Sequence, residues 1–299
     1  MASLRLGRLT ILFLLLISGS CNRNNHNIVN AEQPSSNEQI KTVKIMSFNI
    51  QIFGVSKMAK PEVVSVLVDI VSQADIIAVQ EVRSTGIEPV EQFMALLPNK
   101  YSYVIGPREG RSSSKEQFWI IYDAILFTVH EMESWEDPED IFERNPFAVY
   151  FKSVNNFDFI IINNHIQPSA ATKEINALPI VVEYYKNIWN DPDVLIVGDF
   201  NADGQYYDAR NLGAVFAEDE YLIIITNEYD TTVAEGENAY DRFIITTSAR
   251  EYYTGDHGVL RFDEVYDFSQ YNILPKNVSD HYPIWVEFWL DKNIKEYGP

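Results

Sequence analysis

Short runs of large apolar residues alternate with polar turns along this chain, and most of the runs are apolar at every position rather than at every second one. They occur at 43–50 (VKIMSFNI), 75–82 (DIIAVQEV), 118–127 (FWIIYDAILF), 147–151 (FAVYF), 158–165 (DFIIINNH), 193–200 (DVLIVGDF), 221–226 (YLIIIT), 242–246 (RFIIT) and 282–288 (YPIWVEF). Their lengths suit strands, and the missing period-two alternation predicts strands buried on both faces. Two segments have helical spacing instead. PEVVSVLVDIVSQA at 61–74 is one, and TKEINALPIVVEYYKNIW at 172–189 is the other, with Ile175, Leu178, Val182 and Tyr185 on a single stripe. Pro179 is expected to kink or interrupt the second helix. The pattern predicts a strand-rich, mixed α/β domain. No repeat and no Gly- or Pro-rich linker divides residues 41–291, so one domain is expected there, with 292–299 as a C-terminal tail.

The first forty residues read differently. Arg5 and Arg8 precede LTILFLLLISGS, an apolar run that ends in small residues and is too short for a spanning helix, so residues 1–20 are expected to be a secretory signal. Cys21 follows directly and is the only cysteine, which excludes an internal disulfide. It stands where bacterial lipoprotein signals place the cysteine that is acylated, although Ser18 departs from the usual leucine. The expectation is a bacterial envelope lipoprotein, facing outward or into the periplasm and tied to a membrane through Cys21, or otherwise a secreted protein. Residues 22–40 are rich in Asn, Ser and Gln and are expected to be a flexible tether.

Composition sets further bounds. With 299 residues, 46% of them hydrophobic, the chain can bury a large core, and the formal charge of -20 excludes a nucleic-acid partner read from net charge alone. Attraction to phosphate must then come from a local cluster of cations or from bound metal, and metal is the expectation.

The apolar runs share one feature: polar side chains gather at their ends. Asn49, then Glu81 and Arg83, then His165, then Asp199 and Asn201 close four of them, while Asp241 with Arg242 and Ser279 with Asp280 and His281 open two others. Strand ends emerge at a sheet edge, where rigid strands can hold such groups around one cleft. Each has a plainer reading. An Asp or Asn after a strand is usually a turn former, and a lone histidine is usually structural. Glu81 is harder to explain so, because a carboxylate after so apolar a run needs a partner or a metal to offset its desolvation. Two histidines at strand boundaries with carboxylates available favour acid and base chemistry.

In sequence order, SFNI, QEVR, GRSSSKEQFWIIY, NNHIQPSAATKEINAL, GDFNAD, AYDRF and SDHYP resemble the motifs of the endonuclease/exonuclease/phosphatase superfamily, most of all those of its deoxyribonuclease I branch. The resemblance covers about residues 43–289. It implies a four-layered αββα sandwich of two packed mixed sheets with a cleft at one edge. It implies that His165 and His281 are a general acid and base pair, with Glu116 beside His165 and Asp241 beside His281. It also implies that Asn49, Glu81, Asp199, Asn201 and Asp280 serve divalent metal and phosphate, the metal being Mg2+ or Mn2+, and that Arg83, Arg111 and Arg144 contact DNA. The implied activity is hydrolysis of DNA by a metal-dependent endonuclease of little sequence specificity, acting as a monomer. Such types suit the task, because a phosphodiester must be neutralised, a water deprotonated and a leaving oxygen protonated.

Several positions depart from the pattern. Ser114 stands where the pancreatic type has a groove-reading tyrosine, which implies weaker or differently biased cutting of duplex DNA. The family's disulfide positions are Gly204 and Asn238 here. Structural calcium is expected in its stead at Asp230 with Thr231 and Thr232, and in part at Asp140 with Phe142, where Asn145 replaces a glutamate. Two other functions remain open on sequence alone. One is a sphingomyelinase-like or phosphoinositide-directed enzyme of the same superfamily; the other is a non-catalytic envelope-binding lipoprotein.

Overall fold

The computed structural model describes residues 42–292. Residues 1–41, which carry the expected signal, lipidated Cys21 and tether, and the last seven residues of the expected tail lie outside them. Among the described residues, twelve strands form two six-stranded sheets. The first contains β1 (Thr42–Phe53), β2 (Ile76–Val82), β3 (Tyr101–Ile105), β4 (Gln117–Asp123), β11 (Tyr253–Val259) and β12 (Ile284–Trp289), in the order β11-β12-β1-β2-β4-β3. The second contains β5 (Phe127–Ser134), β6 (Phe147–Ser153), β7 (Phe159–His165), β8 (Val194–Asp199), β9 (Tyr221–Ile223) and β10 (Asp241–Thr246), in the order β5-β6-β7-β8-β10-β9. Both are mixed. β1 and β2 run parallel at the centre of one, β7 and β8 at the centre of the other, and their remaining neighbours are antiparallel.

Three apolar cores account for four layers. Val43, Ile45, Phe118, Val149, Ile161, Leu195, Phe243 and Val286 pack between the sheets. On the outer face of the first sheet, Phe48, Ile77 and Trp119 meet Val63, Leu67 and Ile70 of α2 (Pro61–Val71) and Phe93 of α3 (Glu88–Met94), the helix α1 (Val55–Met58) preceding both. On the outer face of the second, Tyr150, Ile162 and Ile196 meet Ile175, Leu178, Val182 and Tyr185 of α4 (Ala171–Trp189). The chain is therefore the expected sandwich, and its central strands read as unbroken apolar runs because helices cover one face and the opposite sheet covers the other. Pro61 sits at the start of α2, where its missing N–H costs nothing. Of the two outcomes expected of Pro179, interruption does not occur: α4 is continuous over its nineteen residues with the proline inside it. The run expected at 118–127 is two strands, divided where the Asp123 carboxylate accepts the Ile125 N–H at 2.9 Å.

Candidate active site

Strand register supplies most of the constellation. His165 at the end of β7 pairs with Asp199 at the end of β8, and Asp199 pairs with Asp241 at the start of β10. Gly198 makes the first pairing possible. It has φ +138, and a Cβ there would lie 1.9 Å from the Asn164 carbonyl oxygen, so no larger residue fits this approach of β7 to β8. On the other sheet β1 and β2 lose regular register between Asn49 and Phe53, and Gln51, Ile52 and Glu81 adopt φ values of 47, 52 and 64. A β-branched residue in that region is costly, at about 1–3 kcal/mol. The distortion turns Glu81 so that its carboxylate accepts the Ile52 N–H at 3.0 Å and the Asn49 amide at 3.2 Å.

The two histidine pairs each bridge the sheets. His281, just before β12 of the first sheet, places Nδ1 2.7 Å from Asp241 Oδ2 in the second. His165 of the second sheet places Nδ1 2.9 Å from Oε1 of Glu116, which precedes β4 of the first. The free Nε2 atoms of both rings lie 3.5 Å from one oxygen, Asp199 Oδ2. That oxygen also accepts the Asn49 amide at 3.0 Å, while Asp199 Oδ1 accepts the Asn201 N–H at 2.9 Å. Glu116, Asp199, Asp241 and both histidines are buried, whereas Glu81 lies at the cleft edge with 12% of its side chain exposed.

Burial and charge compete at every carboxylate here. Burial opposes ionisation of Glu116, but His165, Arg144 and Arg83 outweigh it and hold the carboxyl down at about 2. Burial raises Asp199 too, yet His281 and His165 leave it below the ordinary carboxylate range. Asp241 is raised by burial, with His281 opposing. For His281, burial would favour the neutral ring, but Asp241 and Asp199 push it from 6.5 up to about 10.

The remaining expected residues divide. Arg83 reaches the centre, with Nη2 3.2 Å from Glu81 and Nε 3.6 Å from Glu116. Arg144 is nearly buried; its Nε lies 2.6 Å from Glu116 and donates to the His165 carbonyl at 2.9 Å, so it orients the dyad rather than presenting an open fork. Arg111 stands farther out, bound to Asp140 at 2.8 Å. Asn49, expected to serve metal and phosphate, turns its amide nitrogen to the carboxylates as a hydrogen donor between two anions, and its oxygen accepts the Gln51 N–H at 3.0 Å. The Asn201 amide donates to the Ile166 carbonyl at 2.9 Å. Asp280 is exposed and acts on His281 only through its charge. Asp230 and Thr232 bond to each other at 3.2 Å in a closed loop. Gly204 and Asn238, which stand at the family's disulfide positions, lie together: a Cβ on Gly204 would be 2.9 Å from the Asn238 side chain.

Two supports were not singled out in the sequence. Lys57 is buried and donates to the carbonyls of Ile50 at 2.6 Å and Val278 at 2.7 Å, tying the end of β1 to the approach of His281; burial lowers it to about 8. Gln80 bonds Ser47 at 3.1 Å and Asn163 at 2.7 Å, a polar bridge between the sheets below the cleft. A polar pair within apolar strands was the available signal for the second; the first had none.

This arrangement belongs to a class. The sequence model of the Endonuclease/Exonuclease/phosphatase family matches residues 46–281, and the chain belongs to that family. Within it the chain falls on the deoxyribonuclease I side. It is 35% identical to deoxyribonuclease-1 of Gallus gallus over 264 residues, covering 82% of this chain and 92% of that protein. It is 32% identical to deoxyribonuclease-1-like 2 of Mus musculus, with 82% and 91% covered. Among solved structures, a humanized D. rerio TDP2 aligns with TM-score 0.62 at 15% identity, covering 83% of this chain and 98% of that one. A Bacteroides thetaiotaomicron family member aligns with TM-score 0.56 at 17% identity, covering 84% and 95%. These two share the fold.

Proposed function

We propose that the chain is a divalent-metal-dependent endonuclease that hydrolyses DNA phosphodiester bonds with little sequence preference. The observation that carries this reading is the pair of buried histidine–carboxylate dyads whose Nε2 atoms converge on one oxygen of Asp199. The deoxyribonuclease names of its relatives support DNA as substrate over a lipid or sugar phosphodiester.

The donor set suits a small hard cation. Ligand atoms of Glu81, Glu116 and His165 lie within 4.8 Å of one another, as do those of Asp199, Asp241 and His281. Magnesium needs only one or two carboxylates and keeps the rest of its shell for water and phosphate, so Glu81, the accessible member of the first cluster, would hold it, with Asp199 of the second, bonded to the same Asn49 amide, as the other candidate ligand. Bound there, the ion would supply neutralisation of the phosphate charge and a lowered barrier to attack. The protein's part is proton transfer and orientation. Glu116 and Asp241 fix the Nδ1 side of each ring, leaving both Nε2 atoms for exchange. One Nε2 takes the proton of the attacking water as its oxygen bonds to phosphorus; the other delivers a proton to the leaving oxygen as the P–O bond breaks. Arg83 supplies a cation for a neighbouring phosphate, and Arg111 farther out, half-exposed, offers the edge of its guanidinium that Asp140 does not hold.

Export by residues 1–20, acylation of Cys21 and outward display on a bacterial membrane belong to the same proposal and rest on the sequence. Among the described residues no helix is long and apolar enough to cross a membrane. Mass spectrometry of the mature N-terminus decides the anchor, and cleavage of supercoiled plasmid with magnesium and with chelator decides the activity.

A further inference from the structure

The calcium expected from family resemblance meets groups already satisfied. Asp230 Oδ1 accepts the Thr232 N–H at 3.1 Å, the Thr232 hydroxyl at 3.2 Å and the Asn238 N–H at 3.2 Å; Oδ2 faces Arg261 Nη1 at 3.1 Å. The carbonyls around it are engaged as well. Gly236 accepts the Asn238 side-chain amide at 3.2 Å, Asn238 accepts the Thr231 N–H at 2.9 Å, and Thr231 accepts the Tyr282 N–H at 2.8 Å. Ala234 and Gly236 bring no side-chain oxygen to the loop, and the carboxylates of Glu235 and Glu237 beside them are exposed to solvent. Calcium needs about six to eight oxygen lone pairs. Asp230 is the one carboxylate of the loop that is not exposed, and hydrogen donors and a guanidinium already meet it, far short of that number, so the residues do not fit the ion.

The second expected loop is closed in the same way. Arg111 Nη2 lies 2.8 Å from Asp140 Oδ1, 2.9 Å from the Asp140 carbonyl and 3.0 Å from the Phe142 carbonyl. One carboxylate and two carbonyls around a point is a ligand set for a hard cation, and an arginine nitrogen occupies that point. Arg111 is fixed further by its own N–H, which donates to Glu143 at 2.9 Å. Arg261 is fixed by Glu264 at 3.1 Å and by the Tyr282 ring, 4.8 Å beneath it.

We propose that Arg261 and Arg111 are built-in cations that replace calcium in these two loops, so that neither loop needs calcium to fold. The first loop matters beyond itself. Thr231 Oγ1 accepts the N–H groups of Tyr240 at 3.0 Å and Asp241 at 3.1 Å, and Val233 N–H bonds the Asp280 carbonyl at 2.8 Å. Arg261 is thus a positioning residue for the segments that carry Asp241 and His281.

Thermal melting of the full chain tests this whether or not it cleaves DNA. Melting is measured with magnesium held saturating, in calcium and in a calcium-selective chelator, for wild type, Arg261→Ala, Arg261→Lys, Asp230→Asn and Asp140→Asn. The expected result is an identical wild-type Tm with and without calcium, and a Tm lower by about 2–4 °C in Arg261→Ala. Arg261→Lys, which keeps the charge, should recover part of that loss, and it carries the test if the alanine variant fails to fold. A calcium response that persists unchanged in Asp230→Asn and Asp140→Asn arises elsewhere and leaves the proposal standing. It is overturned if calcium raises the wild-type Tm and either Asp→Asn change abolishes the rise, or if both Arg261 variants melt like wild type in chelator.

Discussion

Replacing Asp241 by asparagine removes one charge from the centre of the site while keeping shape and volume. Asp241 is fully buried, and its Oδ2 lies 2.7 Å from His281 Nδ1. In the native protein Asp241 and Asp199 overcome burial and hold the His281 imidazolium from 6.5 up to about 10. At about 1.4 kcal/mol per unit, this corresponds to roughly 4 kcal/mol at neutral pH. Burial of Asp241 itself works against that gain, since it raises the carboxyl. The net loss in Asp241→Asn should therefore be nearer to about 2 kcal/mol, a Tm lower by about 4–8 °C. The sign of the pH dependence follows from the raised histidine: its contribution is complete below 6.5 and disappears as pH rises through about 10. The gap in Tm between wild type and Asp241→Asn, measured in EDTA by scanning fluorimetry, should accordingly be widest on the acid side of that window and close toward its alkaline end. Turnover should fall by about 100- to 10,000-fold because the ring loses both its charge and its orientation. A gap that stays constant from neutral pH to above 10 would refute the argument, since it would show that the pair contributes packing and no charge.

Two further outcomes follow from the geometry. Gly198→Ala should cost more than about 3 kcal/mol, because a Cβ would meet the Asn164 carbonyl at 1.9 Å, whereas Gly213→Ala, with open space around it, should melt like wild type; equal melting of the two variants would contradict the register argument for His165 and Asp199. Arg83→Ala should lower the slope of log binding constant against log salt on duplex DNA by about one, read at constant saturating metal; an unchanged slope would remove Arg83 from the phosphate contacts.

The parts of the fold legible in the sequence are those that burial dictates. β1, β2, β7, β8 and β10 lie at or near the centres of their sheets, so nearly every position is apolar, and their polar ends mark the cleft. β5 (FTVHEMES) and β11 (YTGDHGV) were invisible for the opposite reason: they are edge strands, largely accessible, and held by backbone pairing that leaves little trace in side-chain type. β3 is likewise an edge strand, short and mostly half-buried. At the site, His165, His281, Glu116, Asp241, Glu81 and Asp199 could be named from motifs, and the structure brings them together. Direction could not. Asn49 presents nitrogen rather than oxygen, Arg144 faces Glu116 rather than the open cleft, and Arg111 and Arg261 sit on the loops where calcium was expected. Such choices depend on which partner lies across the sheet or loop, and Arg261 is 31 residues from Asp230 along the chain.

The most direct measurement is the rate at which the purified mature chain converts supercoiled plasmid to nicked and linear forms, with magnesium, with EDTA, and for His165→Ala and His281→Ala verified as folded by circular dichroism. The account predicts cleavage that EDTA abolishes and that each histidine substitution slows by about 100- to 10,000-fold. Cleavage unchanged by EDTA or by either substitution would contradict it, and negligible cleavage of DNA beside rapid turnover of a phospholipid or phosphoinositide would transfer the same dyads to a different phosphoester.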